Sequence, residues 1–542
     1  MSDTLLEIDG LDISLPASAS RRHAVQRISL RLPAGRTLCV VGESGSGKSM
    51  LANAIIGLLP APGIVPTAGR ILFEGEDLLT VDDTRMRAVR GRRIGMVFQE
   101  PMSALDPLMR IGGQLGEALD AHLSLSDRQR RARIVAALRE AGLDEPERVL
   151  ECHPFRLSGG QRQRVLIAGA MVLEPALLIA DEPTTALDTT TQAQILANLR
   201  AMQRRRGTAI LFITHDLGVA AAIGDEIAVM QNGEIVEIGP LARVLSAPAH
   251  AYTRRLVTAM PNGARRSRSP YSRNERVLEV SGLCKAYRAS VGLWRRRGPV
   301  DAVRAVGFEL HRGETLGLVG ESGSGKSTVG RCVAGLTRFD AGRIVFAGRQ
   351  HPAGGLAAGA NGRIQMVFQD PQASLNPRRT VGASIAAGPI AQGLPRQEAV
   401  RRALALLELT GLDAAAAARY PHAFSGGQRQ RIAIARALAT EPELLIADEA
   451  LSALDMPVQA QILALLAEVQ ARFRLSMLFI THDLRVAAAV CDTLAVMRRG
   501  EIVEYGETGR VLNHPAHPYT RSLIDAMPAM PTLREAQQES SK

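Results

Sequence analysis

The chain has 542 residues, of which 46% are hydrophobic and only 3% aromatic. A chain of this length accommodates several domains, and cores built on aliphatic residues favour helix-covered parallel sheets over an all-β sandwich. The net charge of +11 admits an anionic surface as a partner, and no apolar run approaches the roughly 18 residues of a membrane span. Five dispersed cysteines without a CxxC pair argue against disulfides and zinc and favour a reducing compartment.

Much of the excess positive charge lies in two arginine clusters, one within residues 265–276 and one at Arg295–Arg297 beside Trp294. Solvated loops are one interpretation of these clusters, and attraction to acidic lipid headgroups is another. Neither cluster alternates with aromatic residues at stacking distances, so we expect no nucleic-acid partner. The role of both clusters stays open at this point.

Five sequence blocks occur twice along the chain, and the last three keep one common spacing. This repeat predicts two copies of one domain, at residues 1–261 and 276–542, joined by a linker at 262–275 that is rich in Pro, Gly, Ser and Arg. The blocks are VGESGSGKS at 41–49 and 319–327, VFQ at 97–99 and 367–369, SGGQRQR at 158–164 and 425–431, LLIADE at 177–182 and 444–449, and FITHDL at 212–217 and 479–484.

In chain order, each half begins with an apolar strand that enters a glycine-rich turn and then a helix. Later apolar runs end in polar residues, as buried parallel strands do when they carry chemistry at their C-terminal ends. Helical spacing of apolar residues between VFQ and SGGQ predicts a small helical subdomain at about 100–160 and another at about 370–427. The predicted fold is therefore α/β, with two tandem P-loop NTPase domains, each built on a mainly parallel sheet.

The glycine-rich turns match the phosphate-binding loop, whose backbone N–H groups and following helix attract the phosphates of ATP. Its lysine adds a full positive charge, and its serine hydroxyl coordinates Mg²⁺. The predicted ATP-binding residues are Gly42, Ser44, Gly45, Gly47, Lys48 and Ser49 in the first half, and Gly320, Ser322, Gly323, Gly325, Lys326 and Ser327 in the second half.

An acid pair ends one apolar run in each half: Asp181 with Glu182, and Asp448 with Glu449. Neighbouring carboxylates at a strand end suit a division of roles, in which the first acid holds Mg²⁺ and the second polarises the attacking water. The alternative is a helix N-cap, where acids are also favoured. Because each pair follows a buried strand and a nucleotide loop, we expect the catalytic role.

Two further polar side chains per half end apolar runs and are expected at the γ-phosphate. His215 and His482 can contact that phosphate and the attacking water as neutral imidazoles, although a lone histidine there is more often structural. Gln99 and Gln369 can reach Mg²⁺ or water. The predicted metal ligands are therefore Ser49, Gln99 and Asp181, and Ser327, Gln369 and Asp448.

LSGGQRQR at 157–164 and FSGGQRQR at 424–431 resemble the signature motif of ABC ATPases, and DEPTTALD and DEALSALD resemble the joined Walker B motif and D-loop of that family. The resemblance covers nearly all of both halves. It implies that the halves pair head to tail within the chain, so that each signature completes the ATP site of the other half. The signature residues are Ser158, Gly159, Gly160 and Gln161, and Ser425, Gly426, Gly427 and Gln428.

Adenine recognition is the one clear departure from the family pattern. The family stacks adenine on an aromatic residue before the phosphate loop, and Tyr287 stands there in the second half, whereas Leu15 stands there in the first. A leucine offers no π face, so we expect weaker ATP binding at the first site unless His23 or Arg22 compensates, and whether the two sites are unequal stays open.

Each half ends in a similar tail, at 247–261 and at 514–528, and the second tail carries the run HPYT. Such tails resemble those of the ATPases of oligopeptide, dipeptide, glutathione and nickel importers. The resemblance implies two transmembrane permease subunits, an extracytoplasmic solute-binding protein, and a peripheral location at the cytoplasmic face of the inner membrane. The absence of cysteine between 153 and 283 predicts that no iron–sulfur cluster is bound. The transported solute stays open.

The alternative function is that of a soluble tandem ABC ATPase acting on the ribosome. Such proteins usually have a long, charged helical linker, and this linker is short, so we favour the importer. A DNA-repair ATPase is a weaker alternative, because no zinc spacing interrupts either half.

Overall fold

The structure is a computed structural model. It describes residues 4–16, 21–60, 63–99, 104–184, 187–260, 272–287, 300–356, 359–360, 362–451 and 454–527. The arginine cluster around Trp294, most of the predicted linker, and Pro528 at the end of the second tail lie outside these ranges. Within them, every helix is too short or too polar to cross a membrane.

Each half contains a six-stranded, mainly parallel sheet and a four-stranded antiparallel sheet. The orders in the first half are β10-β9-β3-β8-β7-β6 and β2-β1-β4-β5, and those in the second are β16-β17-β18-β13-β19-β20 and β12-β11-β14-β15. The first-half strands are β1 (Thr4–Ser14), β2 (His23–Pro33), β3 (Thr37–Val41), β4 (Val65–Phe73), β5 (Glu76–Asp77), β6 (Ile94–Val97), β7 (Leu177–Asp181), β8 (Ala209–Thr214), β9 (Glu226–Gln231) and β10 (Glu234–Pro240). The second-half strands are β11 (Ser272–Tyr287), β12 (Val300–Arg312), β13 (Thr315–Val319), β14 (Ala341–Phe346), β15 (Arg349–Gln350), β16 (Ile364–Val367), β17 (Leu444–Asp448), β18 (Ser476–Thr481), β19 (Thr493–Arg498) and β20 (Glu501–Glu507).

The central parallel strands are buried along their whole length, which explains their continuous apolar sequence. All residues of β3, β7 and β8 are buried, and the same holds for β13, β17 and β18. Parallel pairing places the ends of β3, β7 and β8 at one edge of the sheet. The phosphate loop, the acid pair and the histidine of each half therefore meet there.

Helices cover the sheets, and several of them lie between β6 and β7 and between β16 and β17. The helix Asp127–Glu140 begins at Ser126, whose side chain forms a capping box with Gln129. Its buried residues include Ile134, Ala137 and Leu138, as the helical spacing predicts. The first-half helices are Lys48–Ile55, Asp83–Val89, Ile111–Asp120, Asp127–Glu140, Pro146–Leu150, Gly159–Met171, Thr189–Arg206, Leu217–Ile223, Leu241–Ser246 and Ala251–Ala259, with a 3₁₀ turn at Pro154–Arg156.

The second half repeats this arrangement, and Ala403, Leu406 and Leu407 are again buried on one face of a helix. Its first strand, β11, begins at Ser272, within the predicted linker, because residues from there onward pair with β12. The second-half helices are Lys326–Val333, Pro371–Ser374, Val381–Ala391, Arg396–Leu409, Gly426–Leu438, Met456–Phe473, Leu484–Val490, Thr508–Asn513 and Pro518–Asp525, with 3₁₀ turns at Ala414–Ala418 and Pro421–Ala423.

Candidate functional site

Both phosphate loops have a backbone that requires glycine directly before the helix. Gly47 has φ of 110° and Gly325 has φ of 104°, in the left-handed region that side chains disfavour. A Cβ atom at Gly47 would lie 2.3 Å from the carbonyl oxygen of Ala24, and one at Gly325 would lie 2.2 Å from that of Ala302. Each loop therefore lies against a neighbouring strand, with its N–H groups leading into a helix.

The loop lysines fold back onto their own loops. Lys48 Nζ donates to the carbonyl oxygens of Gly42 and Glu43, at 2.8 Å each. Lys326 Nζ does the same with Gly320 and Glu321, at 2.7 Å each. Burial lowers the pKa of both lysines, and the nearby acid pairs oppose that shift. A phosphate would offer each ammonium group charged acceptors in exchange for these neutral carbonyls.

The first acid of each pair lies at the end of a buried strand, next to the loop serine. Ser327 Oγ donates to Asp448 Oδ1 at 2.7 Å, and the side chain of Asp181 receives a hydrogen bond from Ser49. Among the described residues, Asp181 Oδ1 is buried and has no hydrogen-bond partner. Burial raises the pKa of Asp181 and of Asp448. A hydroxyl beside a carboxylate in need of a positive partner fits Mg²⁺.

The second acid of each pair has a strained backbone conformation, and its carboxylate has two polar neighbours. Glu182 has φ of 47° and Glu449 has φ of 46°, which non-glycine residues adopt only where the surroundings enforce it. In the first half, Gln99 Nε2 lies 3.2 Å from Glu182 Oε2, and His215 Nδ1 lies 3.2 Å from Glu182 Oε1. Both halves thus gather the predicted glutamine, glutamate and histidine.

The second half repeats this cluster with slightly different distances. Gln369 Nε2 lies 2.8 Å from Glu449 Oε2, and His482 Nδ1 lies 3.6 Å from Glu449 Oε1. Burial disfavours the charged form of His215, but the hydrogen bond and charge of Glu182 outweigh it, so the pKa of His215 is raised. Burial likewise opposes ionisation of Glu449, yet His482 lowers its pKa. In the second half, His482 therefore favours the ionised form of Glu449.

Residues of the opposing half reach the second site. A cleft of about 540 Å³ is lined by Lys326, Gln369, Glu449 and His482, and by Leu187 and Asp188 of the first half. At the other site, burial lowers the pKa of Lys48, and Asp455 of the second half is close enough for its charge to oppose that shift. The acid that ends each D-loop therefore lies near the phosphate loop of the other half.

The signature residues form two equivalent helix starts. Ser158 Oγ accepts from the N–H of Gln161 at 3.2 Å, and Gln161 Oε1 accepts from the N–H of Ser158 at 3.0 Å. The residues Ser425 to Gln428 repeat this capping box, and a Cβ atom at Gly159 or Gly426 would meet open space. The signature residues Ser158 to Gln161 are not among the described residues that line the cleft at the second phosphate loop.

The two candidate adenine platforms differ in exposure and packing. Tyr287 is 43% exposed, and Lys285 Nζ lies 5.4 Å from its ring centroid. Leu15 packs, partly buried, against the core of the first half. The second site thus has an accessible aromatic ring.

The sequence analysis did not predict two kinds of contact: one between each tail and a phosphate loop, and one between the two halves. Tyr252 and Tyr519 in the tails touch the phosphate loops, and Arg485 crosses from one half to the other to contact Asp216. The recurrence of a tyrosine at the same place in both tails was a signal for the first contact. The second had none, because Gly218 occupies the equivalent place in the first half.

Comparison with known proteins agrees with the duplicated architecture. The family model "ABC transporter" matches residues 25–185 and 303–452. The model "Oligopeptide/dipeptide transporter, C-terminal region" matches residues 236–285 and 503–541. Both models therefore occur twice, in the same order.

Similar full-length proteins are found in several bacteria. The peptidoglycan transport ATP-binding protein YejF of Agrobacterium fabrum is 44% identical over 96% of this chain and 96% of its own. The glutathione import ATP-binding protein GsiA of Salmonella paratyphi A is 42% identical over 97% of this chain and 90% of its own. GsiA of Escherichia coli O157:H7 is 41% identical over 98% of this chain and 91% of its own. The chain belongs to the ABC transporter ATP-binding family and is an ATPase with two tandem cassettes and two oligopeptide/dipeptide-transporter tails.

Proposed function

We propose that this ATPase is the motor subunit of an importer, which couples ATP binding and hydrolysis at two composite sites to uptake of a peptide or a related small solute. The observation that carries this proposal is the pair of complete catalytic clusters, each near the D-loop acid of the opposing half. The relatives are named as ATP-binding proteins of glutathione import and peptidoglycan transport.

Each composite site takes its phosphate loop, acid pair, glutamine and histidine from one half and its signature from the other. Asp188 and Asp455 already lie across the boundary, and each signature precedes the acid pair and the D-loop of its own half. ATP would draw the helix starts at Ser158 and Ser425 toward the opposing loops, because exposed N–H groups at a helix start attract phosphate. Release of phosphate would remove that attraction and let the halves separate.

Within a site, the residues divide the work. Lys48 and Lys326 neutralise phosphate oxygens, and the serine and first acid of each half would hold Mg²⁺, which supplies charge stabilisation on those oxygens. Glu182 and Glu449 accept a hydrogen bond from the attacking water and orient it. His215 and His482 hold these carboxylates in place, and Gln99 and Gln369 link them to the helical subdomain that follows.

The permease contact is proposed at a groove between the parallel sheet and the helical subdomain of the first half. This groove has a volume of about 540 Å³ and includes Met96, Phe98, Leu105 and Met109. Phe98 is 43% exposed, although it is a large apolar residue directly before Gln99. A short apolar helix from a transmembrane permease subunit would cover it. Two permease subunits and an extracytoplasmic solute-binding protein complete the proposed assembly, with the ATPase peripheral at the cytoplasmic face of the inner membrane.

Affinity purification from native membranes tests this assignment. We expect two integral membrane chains to copurify with the tagged ATPase after mild detergent extraction. Phe98→Glu should lower their recovery, because it places a charge in the apolar groove. Val400→Glu, at an exposed position in the second half, is the matched control. Recovery with ribosomes and without integral membrane chains would instead support the ribosomal alternative.

A further inference from the structure

The tail of each half contacts the phosphate loop of that same half through one tyrosine. Tyr252 Oη accepts a hydrogen bond from the N–H of Glu43 at 3.0 Å, and Tyr519 Oη accepts one from Glu321 at 3.1 Å. Glu43 and Glu321 each directly follow the first glycine of a loop. Both tyrosines are buried, with exposures of 2% and 5%. The contact thus occurs twice, between residues far apart in the chain.

A buried glutamate fixes the turn that leads into each tail helix. In the first half, the Glu237 carboxylate accepts from the N–H groups of Ala249 and His250, at 2.8 and 3.0 Å. In the second half, the Glu504 carboxylate accepts from those of Ala516 and His517, at 2.8 and 3.1 Å. The strand that ends each sheet therefore determines where its tail helix starts.

The histidine of each tail aims the tyrosine. His250 Nδ1 accepts from the N–H of Tyr252 at 3.2 Å, and His517 Nδ1 accepts from that of Tyr519 at 3.1 Å. The histidine thereby caps the tail helix through its side chain. The next residue of the helix, Thr253 or Thr520, is fully buried. The His, Tyr and Thr of the tail motif thus work together to bring one hydroxyl to the loop.

The tyrosine and the lysine hold the two sides of one loop segment. Lys326 Nζ bonds to the carbonyls of Gly320 and Glu321, while Tyr519 Oη bonds to the N–H of Glu321. When the ammonium group turns to a phosphate, it releases those carbonyls. The tyrosine bond does not involve the lysine, so it is available to keep the loop in place at that moment.

The opposing half reaches the same segment. Thr190 Oγ1 of the first half donates to Glu321 Oε1 at 2.8 Å. On the other side, Met456 of the second half packs in one apolar cluster with Tyr252. The tail, the start of the loop and the helix after the opposing D-loop therefore meet in one place.

We propose that Tyr252 and Tyr519 are positioning residues for ATP, which hold the start of each phosphate loop in the geometry that binds phosphates. The inference rests on the proposed binding of ATP by these two loops. It assigns the importer-type tail a role inside the ATPase reaction. The tyrosines act through the loop backbone.

Nucleotide titration of the full chain tests this role, with mant-ADP and Mg²⁺ as the probe. Removing one neutral hydrogen bond in Tyr519→Phe should weaken binding at the second site about three- to tenfold, and leave the first site unchanged. Tyr252→Phe should do the reverse. The double variant should raise the KM for ATP by a similar factor, with a much smaller change in kcat. Because phenylalanine keeps the ring and its packing, the melting temperature of each variant without nucleotide should equal that of the unmodified chain.

Tyr505→Phe is the matched control, because the Tyr505 hydroxyl donates to the carbonyl of Glu309 instead of a loop N–H. We expect this variant to bind the probe like the unmodified chain. Equal affinities for the unmodified chain and the double variant would overturn the inference while leaving the ATPase function intact. A purely structural tail would lower the melting temperature of the tyrosine variants without separating KM from kcat. Failure of the unmodified chain to bind mant-ADP would contradict the proposed function itself.

Discussion

Arg485 Nη2 of the second half donates to Asp216 Oδ2 of the first half at 2.9 Å. The same nitrogen donates to Asp483 Oδ2 at 2.9 Å. These side chains are only about one-fifth exposed. One guanidinium thus neutralises two equivalent acids, one from each half. The residue of the first half that is equivalent to Arg485 is Gly218. Among the described residues, Arg485 is thus a cation at the contact between the halves whose equivalent in the first half is a glycine.

Arg485→Ala should destabilise the contact between the halves. The variant leaves two largely buried carboxylates facing each other. Removal of one partner from a fully buried pair costs about 3–5 kcal/mol. Partial solvent access lowers the expected cost here to about 1–3 kcal/mol. Thermal unfolding measures the loss. Arg31→Ala, which removes an exposed pair with Glu7, is the matched control and should cost well under about 1 kcal/mol. Equal losses in the two variants would contradict the role of Arg485.

The pH dependence of this variant has a definite sign. Burial disfavours ionised Asp216, but the charge of Arg485 outweighs burial and lowers its pKa. A depressed pKa stabilises the folded state above the unfolded pKa of aspartate, and this stabilisation is lost as the pH falls through the folded pKa. Without Arg485, burial would raise that pKa instead. The stability deficit of Arg485→Ala relative to the unmodified chain should therefore shrink as the pH falls toward the unfolded pKa of aspartate, and Asp216→Asn should remove this trend.

Replacing both catalytic glutamates should stop hydrolysis and preserve ATP binding. Glu182→Gln with Glu449→Gln keeps the side-chain shape but removes the carboxylate that orients water, which is worth about 10²–10⁴ in rate. Steady-state phosphate release and equilibrium binding of ATP measure the two effects separately. Glu174→Gln is a suitable control, because Glu174 also has positive φ but lies on the surface after the signature helix. Undiminished hydrolysis by the double variant would remove these glutamates from the mechanism.

The sequence predicted the parts of each site that one strand and one turn determine. The run LLIAD reads as a buried strand and ends in the acid pair, and the loop glycines require the left-handed backbone observed at Gly47 and Gly325. Contacts that depend on how distant segments pack were not predictable. Arg485 and Asp216 belong to different halves, and Tyr252 contacts Glu43 across 209 residues of sequence. Neither periodicity nor a local motif encodes such distances.

The two sites should differ in their affinity for the adenine base. Tyr287→Leu gives the second site the residue of the first. Loss of base stacking, worth about 1–3 kcal/mol, should weaken ATP binding there about 5- to 150-fold. Leu15→Tyr should strengthen the first site. A calorimetric titration of the unmodified chain should resolve one tight and one weak site, and Tyr287→Leu should make them similar. Two equal sites in the unmodified chain would show that Leu15 serves adenine as well as Tyr287 does.

Gly325→Ala should eliminate phosphate binding at the second site alone. The added Cβ would lie 2.2 Å from the carbonyl oxygen of Ala302, a backbone atom that cannot turn aside, and φ of 104° would strain alanine further. The loop must then leave the geometry in which its N–H groups meet phosphate. The number of mant-ADP molecules bound per chain should therefore fall from two to one.

The control for this variant is a glycine in an ordinary helix. Gly509→Ala adds a Cβ with nothing within 4 Å, in the helix Thr508–Asn513, where alanine is favoured over glycine. It should keep both nucleotide sites and the full ATPase rate. Because Lys48, Glu182 and His215 form their own cluster, the first site of Gly325→Ala should still bind one nucleotide. If composite sites operate as proposed, its hydrolysis should nevertheless fall, since closure around ATP requires both halves. A variant that retained two bound nucleotides would show that the loop tolerates the displaced backbone, and would contradict the steric argument.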